Sequence, residues 1–63
     1  MNKIKKAREE KNISVLELSR ATGISERYLR FIEAGEKVPS LKTACTIADV
    51  LDTSLDELFW DEK

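Results

Sequence analysis

Four serines partition this chain. Ser14, Ser25, Ser40 and Ser54 each stand just ahead of a segment whose apolar residues recur at three- and four-residue spacing. A serine in that place accepts a hydrogen bond from an N–H of the first turn and so fixes a helix start. Two of them carry a glutamate three residues on, Ser14 with Glu17 and Ser54 with Glu57, which is the sequence form of a capping box. Stops lie between the starts. Asn12 offers a left-handed end to a first segment that opens at Ile4. Thr22-Gly23 interrupts the second segment, Gly35 closes the third, and Pro39 breaks the chain ahead of the fourth. In that fourth segment Leu41, Ala44, Ile47, Ala48 and Leu51 form a helical core stripe, and Cys45 beside it reads as a buried, inert thiol. A short fifth segment runs to about Phe59. No β alternation competes, so the expected fold is all-α with five helices.

Sixty-three residues are expected to make one domain, 1–63, with a small core and marginal stability. No run of about 18 apolar residues exists to span a membrane. No apolar core follows Lys3, Lys5 and Lys6 to complete a secretory signal. One cysteine and no histidine leave neither an internal disulfide nor a metal site. No glycine-rich phosphate loop is present, and a chain this small has little room for a concave pocket. These points predict no enzyme activity, no cofactor, no small-molecule ligand and a cytoplasmic setting.

Net charge is −1 and the pI is near 5.4, against a generic polyanion binder, whose pI exceeds about 9. The charge is unevenly spread. Residues 1–30 hold eight basic and four acidic side chains, and residues 31–63 hold three and eight. Such polarity can orient the molecule on a charged partner, or it can be two solvated surfaces.

The most telling stretch is Ser14 to Gly35. Two short helices meet at Ala21-Thr22-Gly23-Ile24-Ser25, the arrangement of a helix-turn-helix. Gly23 supplies a positive φ at no steric cost. Ser19 is small enough for close helix approach, and Leu18, Ile24, Leu29 and Ile32 supply the shared core. Helix pairs of this kind also have uses other than DNA binding.

Over nearly its full length the chain resembles the Cro/CI phage repressor-like family of helix-turn-helix regulators. The matching pieces are Ile4-Lys5-Lys6-Ala7-Arg8, Ile13-Ser14, Glu17-Leu18-Ser19, Gly23-Ile24-Ser25, Tyr28-Leu29, Ile32-Glu33-Ala34-Gly35, Pro39-Ser40, Ile47-Ala48, Leu51 and Ser54-Leu55-Asp56-Glu57-Leu58. Each is weak alone; their order and spacing are specific. The resemblance implies a lambda-repressor-like five-helix fold, double-stranded DNA as partner, and a third helix that enters the major groove.

That helix turns Leu29 and Ile32 inward and leaves Glu26, Arg27, Arg30 and Phe31 as candidate base contacts. Arg27 suits guanine, because a guanidinium bonds O6 and N7 together. Arg30 can do the same or hold a phosphate. Phe31 stands where the family commonly has a polar side chain. It can pack on a thymine methyl, mark a protein contact, or tuck under Tyr28. Glu26 can accept from cytosine N4 or simply cap the helix dipole. Candidate phosphate contacts are Ser14, Arg20, Ser25, Tyr28, Lys37 and Lys42. Val15 replaces a glutamine with which many family members hold the DNA backbone, and Leu16 is apolar where a polar residue is usual. The resemblance further implies an ion pair of Arg8 with Glu33. Phe59 and Trp60 read either as a lid on the core or as a contact between the protomers of a homodimer. The rival reading is a protein-interaction module that keeps this fold and has lost DNA; low pI, Val15, Leu16, Glu26 and Phe31 favour it.

Overall fold

The computed structural model describes residues 2–59. Its helices are α1 (Ile4–Glu10), α2 (Val15–Thr22), α3 (Glu26–Glu33), α4 (Leu41–Val50) and α5 (Leu55–Phe59). No strand occurs among the described residues. None of the helices is long and apolar enough to cross a membrane.

The serines set the helix starts. Ser14, Ser25 and Ser40 take extended backbone angles, and each hydroxyl accepts the amide three residues on, from Glu17, Tyr28 and Thr43. At Ser14 the capping box is complete, since its own amide donates to the Glu17 carboxylate at 2.8 Å. At Ser54 only half of the expected box forms: the Glu57 amide reaches the hydroxyl, while the Glu57 carboxylate accepts from Thr53. Helix ends use left-handed residues. Asn12 (φ 58°), Gly23 (φ 78°) and Gly35 (φ 80°) stand at the expected stops, and Asp52 (φ 54°) does the same after α4.

The core gathers one face of every helix. Ile4, Leu18, Leu29, Ile32, Ile47 and Leu51 are fully buried, joined by Val15, Ala48 and Leu58. Burial of each large side chain contributes about 1.5–3 kcal/mol relative to leaving it in water. Ile24, Tyr28, Leu55 and Phe59 pack against this cluster from half-buried positions. Trp60 lies outside the described residues.

Two expectations for α4 are corrected. Leu41 is 71% exposed and not part of the stripe. It is the first residue of the helix, and burial against α2 and α5 begins only one turn later, at Ala44. Cys45 is exposed as well. It sits one turn from both Leu41 and Asp49, so all three share the solvent face.

The chain start is stitched to the far side of the molecule. Asn2 Oδ1 accepts the Ile4 amide at 3.1 Å, and Asn2 Nδ2 donates to the Ile32 carbonyl at 2.7 Å. The Lys3 amide donates to the Leu58 carbonyl at 2.8 Å. These bonds hold α1 against the end of α3 and against α5.

Candidate nucleic-acid interface

The pose of α3 follows from the turn that precedes it. Gly23 closes α2 in the left-handed region, its amide donating to the Ser19 carbonyl. A Cβ there would meet no neighbour, so the backbone angle and not space selects glycine. Ser19 does more than leave room: its hydroxyl donates to the Ile24 carbonyl at 2.6 Å. Thr22 Oγ1 donates to the Leu18 carbonyl and accepts the Ile24 amide. The turn is thus tied to α2 by two side chains, and α3 leaves it in a fixed direction. Leu29 and Ile32 then bury one face of α3, and the opposite face is committed to solvent.

The solvent face is internally paired. Glu26 Oε2 lies 3.0 Å from Arg30 Nη2, one turn away. The Arg27 guanidinium carbon lies 5.8 Å from the centre of the Phe31 ring, also one turn away, within cation–π range. Arg27 and Arg30 are exposed, while Glu26 and Phe31 are half-buried. Of the expected base contacts, then, all four occupy one helix in two stacked couples. Glu26 also lies in the first turn, where the helix dipole favours a carboxylate.

The expected phosphate contacts are more dispersed. Ser14 and Ser25 stand exposed at the starts of α2 and α3. Beyond each, the first two helix amides have no intrahelical acceptor and are directed out of the helix end. Tyr28 is half-buried, with its ring against the core. Lys37 is exposed on the loop after α3, and its amide approaches the Phe31 carbonyl at 3.3 Å, which keeps this loop beside the end of α3. Arg20 lies exposed in the last turn of α2 and Lys42 in the first turn of α4. Val15 is buried with the core and offers packing only, whereas Leu16 is exposed.

Arg8 and Glu33 form the one buried ion pair among the described residues. Arg8 Nε and Nη2 donate to the two Glu33 oxygens at 2.9 and 3.2 Å, and Nη1 donates to the Ile13 carbonyl at 2.9 Å. Both side chains are only 10% exposed. The Glu33 hydrogen bond, opposed by burial and aided by its charge, holds the guanidinium above its ordinary pKa. The pair lines an open groove together with Lys5, Val15, Arg30 and Ala34. Sequence reasoning missed Lys5, which lines the same groove as Arg30. It also missed Asn2, whose bond to Ile32 spans thirty residues and leaves no local signal.

Among the described residues no cluster of side chains is suited to hold a metal ion. Chemically, the α3 face offers planar cationic donors, one aromatic surface and one carboxylate, flanked by exposed lysines and free helix amides. That set suits the edges of bases and a phosphate backbone.

Comparison with known proteins agrees with this geometry. The model of the helix-turn-helix family matches residues 4–58, so it takes in all five helices but the last residue of α5. The chain is 40% identical over 55 residues to the ImmF control region 10 kDa protein of Bacillus phage phi105, spanning 87% of this chain and 61% of the phage protein. It is 34% identical over 62 residues to an HTH-type transcriptional regulator of Archaeoglobus fulgidus, covering 97% of this chain and 87% of that one. With the HTH-type transcriptional regulator YgzD of Bacillus subtilis the identity is 31% over 62 residues, covering 98% and 94%. With the family model covering 4–58 and two relatives above 30% identity matched over most of their length, the chain belongs to the Cro/CI-type helix-turn-helix family.

Proposed function

We propose that this DNA-binding transcription regulator is a repressor that seats α3 in the major groove and reads bases through Arg27, with Glu26, Arg30 and Phe31 beside it. The observation that carries the reading is the division of α3: Leu29 and Ile32 are fully buried while Arg27 and Arg30 face solvent on a helix whose direction the Ser19 and Thr22 bonds fix. Ser14, Arg20, Ser25, Tyr28, Lys37 and Lys42 hold phosphates and set the register. The chain works in the cytoplasm as a homodimer on two half-sites about one helical turn apart, without a small-molecule ligand or catalytic activity. Phe59 packs against the core from its half-buried position, which supports the lid reading for it.

Selection from a random duplex pool, followed by gel-shift titration, tests this. One sequence class is enriched, and a dimer with roughly 6–10 phosphate contacts loses about 10³–10⁵ in affinity between 50 and 200 mM salt. No enrichment at low salt overturns the reading. A module that binds protein alone would then be left, for which exposed Leu16, Val38 and Leu41 speak.

A further inference from the structure

The two arginines on the outer face of α3 are not equivalent. Arg30 is engaged by the Glu26 carboxylate at 3.0 Å, so its donors face an acceptor already in place. Arg27 has no carboxylate within ion-pair distance among the described residues, and lies instead over Phe31 at 5.8 Å. A cation–π contact takes up no hydrogen-bond acceptor, so the N–H fork of Arg27 stays free. The free fork fits the O6 and N7 acceptors of guanine.

Resting on the placement of α3 in the major groove, we propose that Arg27 and Phe31 act as a single unit that reads a thymine–guanine step. Arg27 bonds the guanine. Phe31 holds the guanidinium in its binding pose and covers the 5-methyl group of the adjacent thymine. Geometry sets the span: residues one turn apart are separated by about 6 Å along the helix. Stacked base pairs are about 3.4 Å apart, so the two side chains reach neighbouring pairs and not distant ones. Chemistry sets the identity: thymine alone among the four bases presents an apolar group in the major groove. The ring is already half-buried and in contact with Arg27, so less of its freedom is left to lose when it meets the methyl. Phe31 is thereby a positioning residue for Arg27 as well as a contact.

The test uses the full chain and its selected site. Enriched sequences carry T beside G in each half-site. Replacing that thymine by deoxyuridine, which removes only the methyl, weakens wild-type binding about fourfold. Replacing the guanine by 7-deazaguanine, which removes one of the two acceptors, weakens it about tenfold. Phe31→Leu, with its fold checked by circular dichroism, binds more weakly and loses preference for G as well as for T, because Arg27 is no longer held. Enrichment of sites lacking the step, or equal affinity for the thymine and deoxyuridine duplexes, overturns the proposal while DNA binding stands. Failure to enrich any site overturns the placement of α3 itself. The DNA substitutions decide the matter even if Phe31→Leu fails to fold.

Discussion

Glu26 is the residue whose role changes most between sequence and structure. Its place in the first turn of α3 is legible in the sequence, and so is the dipole argument for a carboxylate there. The i,i+4 spacing to Arg30 is also plain to read, yet spacing does not say which of the nearby cations is engaged. The structure settles that on Arg30, with the pair left 41% and 65% exposed at glutamate and arginine. An exposed pair of this kind adds about 0–1 kcal/mol to stability, so the fold depends little on it. Its weight falls on binding: the carboxylate occupies Arg30 and repels phosphates. Glu26→Gln is therefore expected to leave the melting temperature within a few degrees and to raise affinity for non-specific duplex DNA about fivefold at 50 mM salt, measured by fluorescence anisotropy. Unchanged or weaker binding would show that Glu26 does not restrain Arg30. Ser19 is the opposite case. Its size was readable, but a hydroxyl bonded to the Ile24 carbonyl needs the turn to exist before it can be seen.

At the scale of elements, the joint that matters is between α1 and the end of α3. Arg8 grips both Glu33 oxygens and the Ile13 carbonyl, so one side chain joins α1, the loop before α2 and α3. Truncation leaves Glu33 buried without its partner, at a cost of about 3 kcal/mol. For a domain this small that lowers the melting temperature by roughly 12–24 °C. Arg8→Ala is expected to lose stability first, and a normal melting temperature with lost DNA binding would reverse the assignment. The pH dependence has a definite sign. Folding raises the Arg8 pKa, so its contribution is complete below the unfolded value and fades only as pH climbs through the still higher folded one. The melting-temperature gap between the wild type and Arg8→Ala therefore stays constant from pH 7 to pH 9. Helix boundaries were legible because caps and left-handed stops are chosen by residues within a few positions of one another. The Arg8–Glu33 joint was not readable from spacing, and entered only through family resemblance. Leu41 and Cys45 were misread because a periodic stripe says which face is apolar, not how far along the helix its neighbours reach.

For the whole molecule, five short helices with local stops leave little freedom in topology, and the fold could be anticipated from Ile4 to Leu58. Charge could not place the site in the same way. The basic excess of residues 1–30 is spread over α1, its flanking Lys3 and Lys11, and α3, and only the burial of Leu29 and Ile32 picks out the outer side of α3. The solvent-facing thiol of α4 puts the proposed homodimer to the test. Cys45 is the one cysteine in the sequence, so it can be labelled with a nitroxide without engineering a site. Two labelled copies seated on a selected duplex give one narrow spin–spin distance, and a lone copy gives none. A side chain expected to be hidden in the core thus serves as the molecule's own ruler, fixed to a helix whose other face is locked in place by Ala44, Ile47 and Ala48.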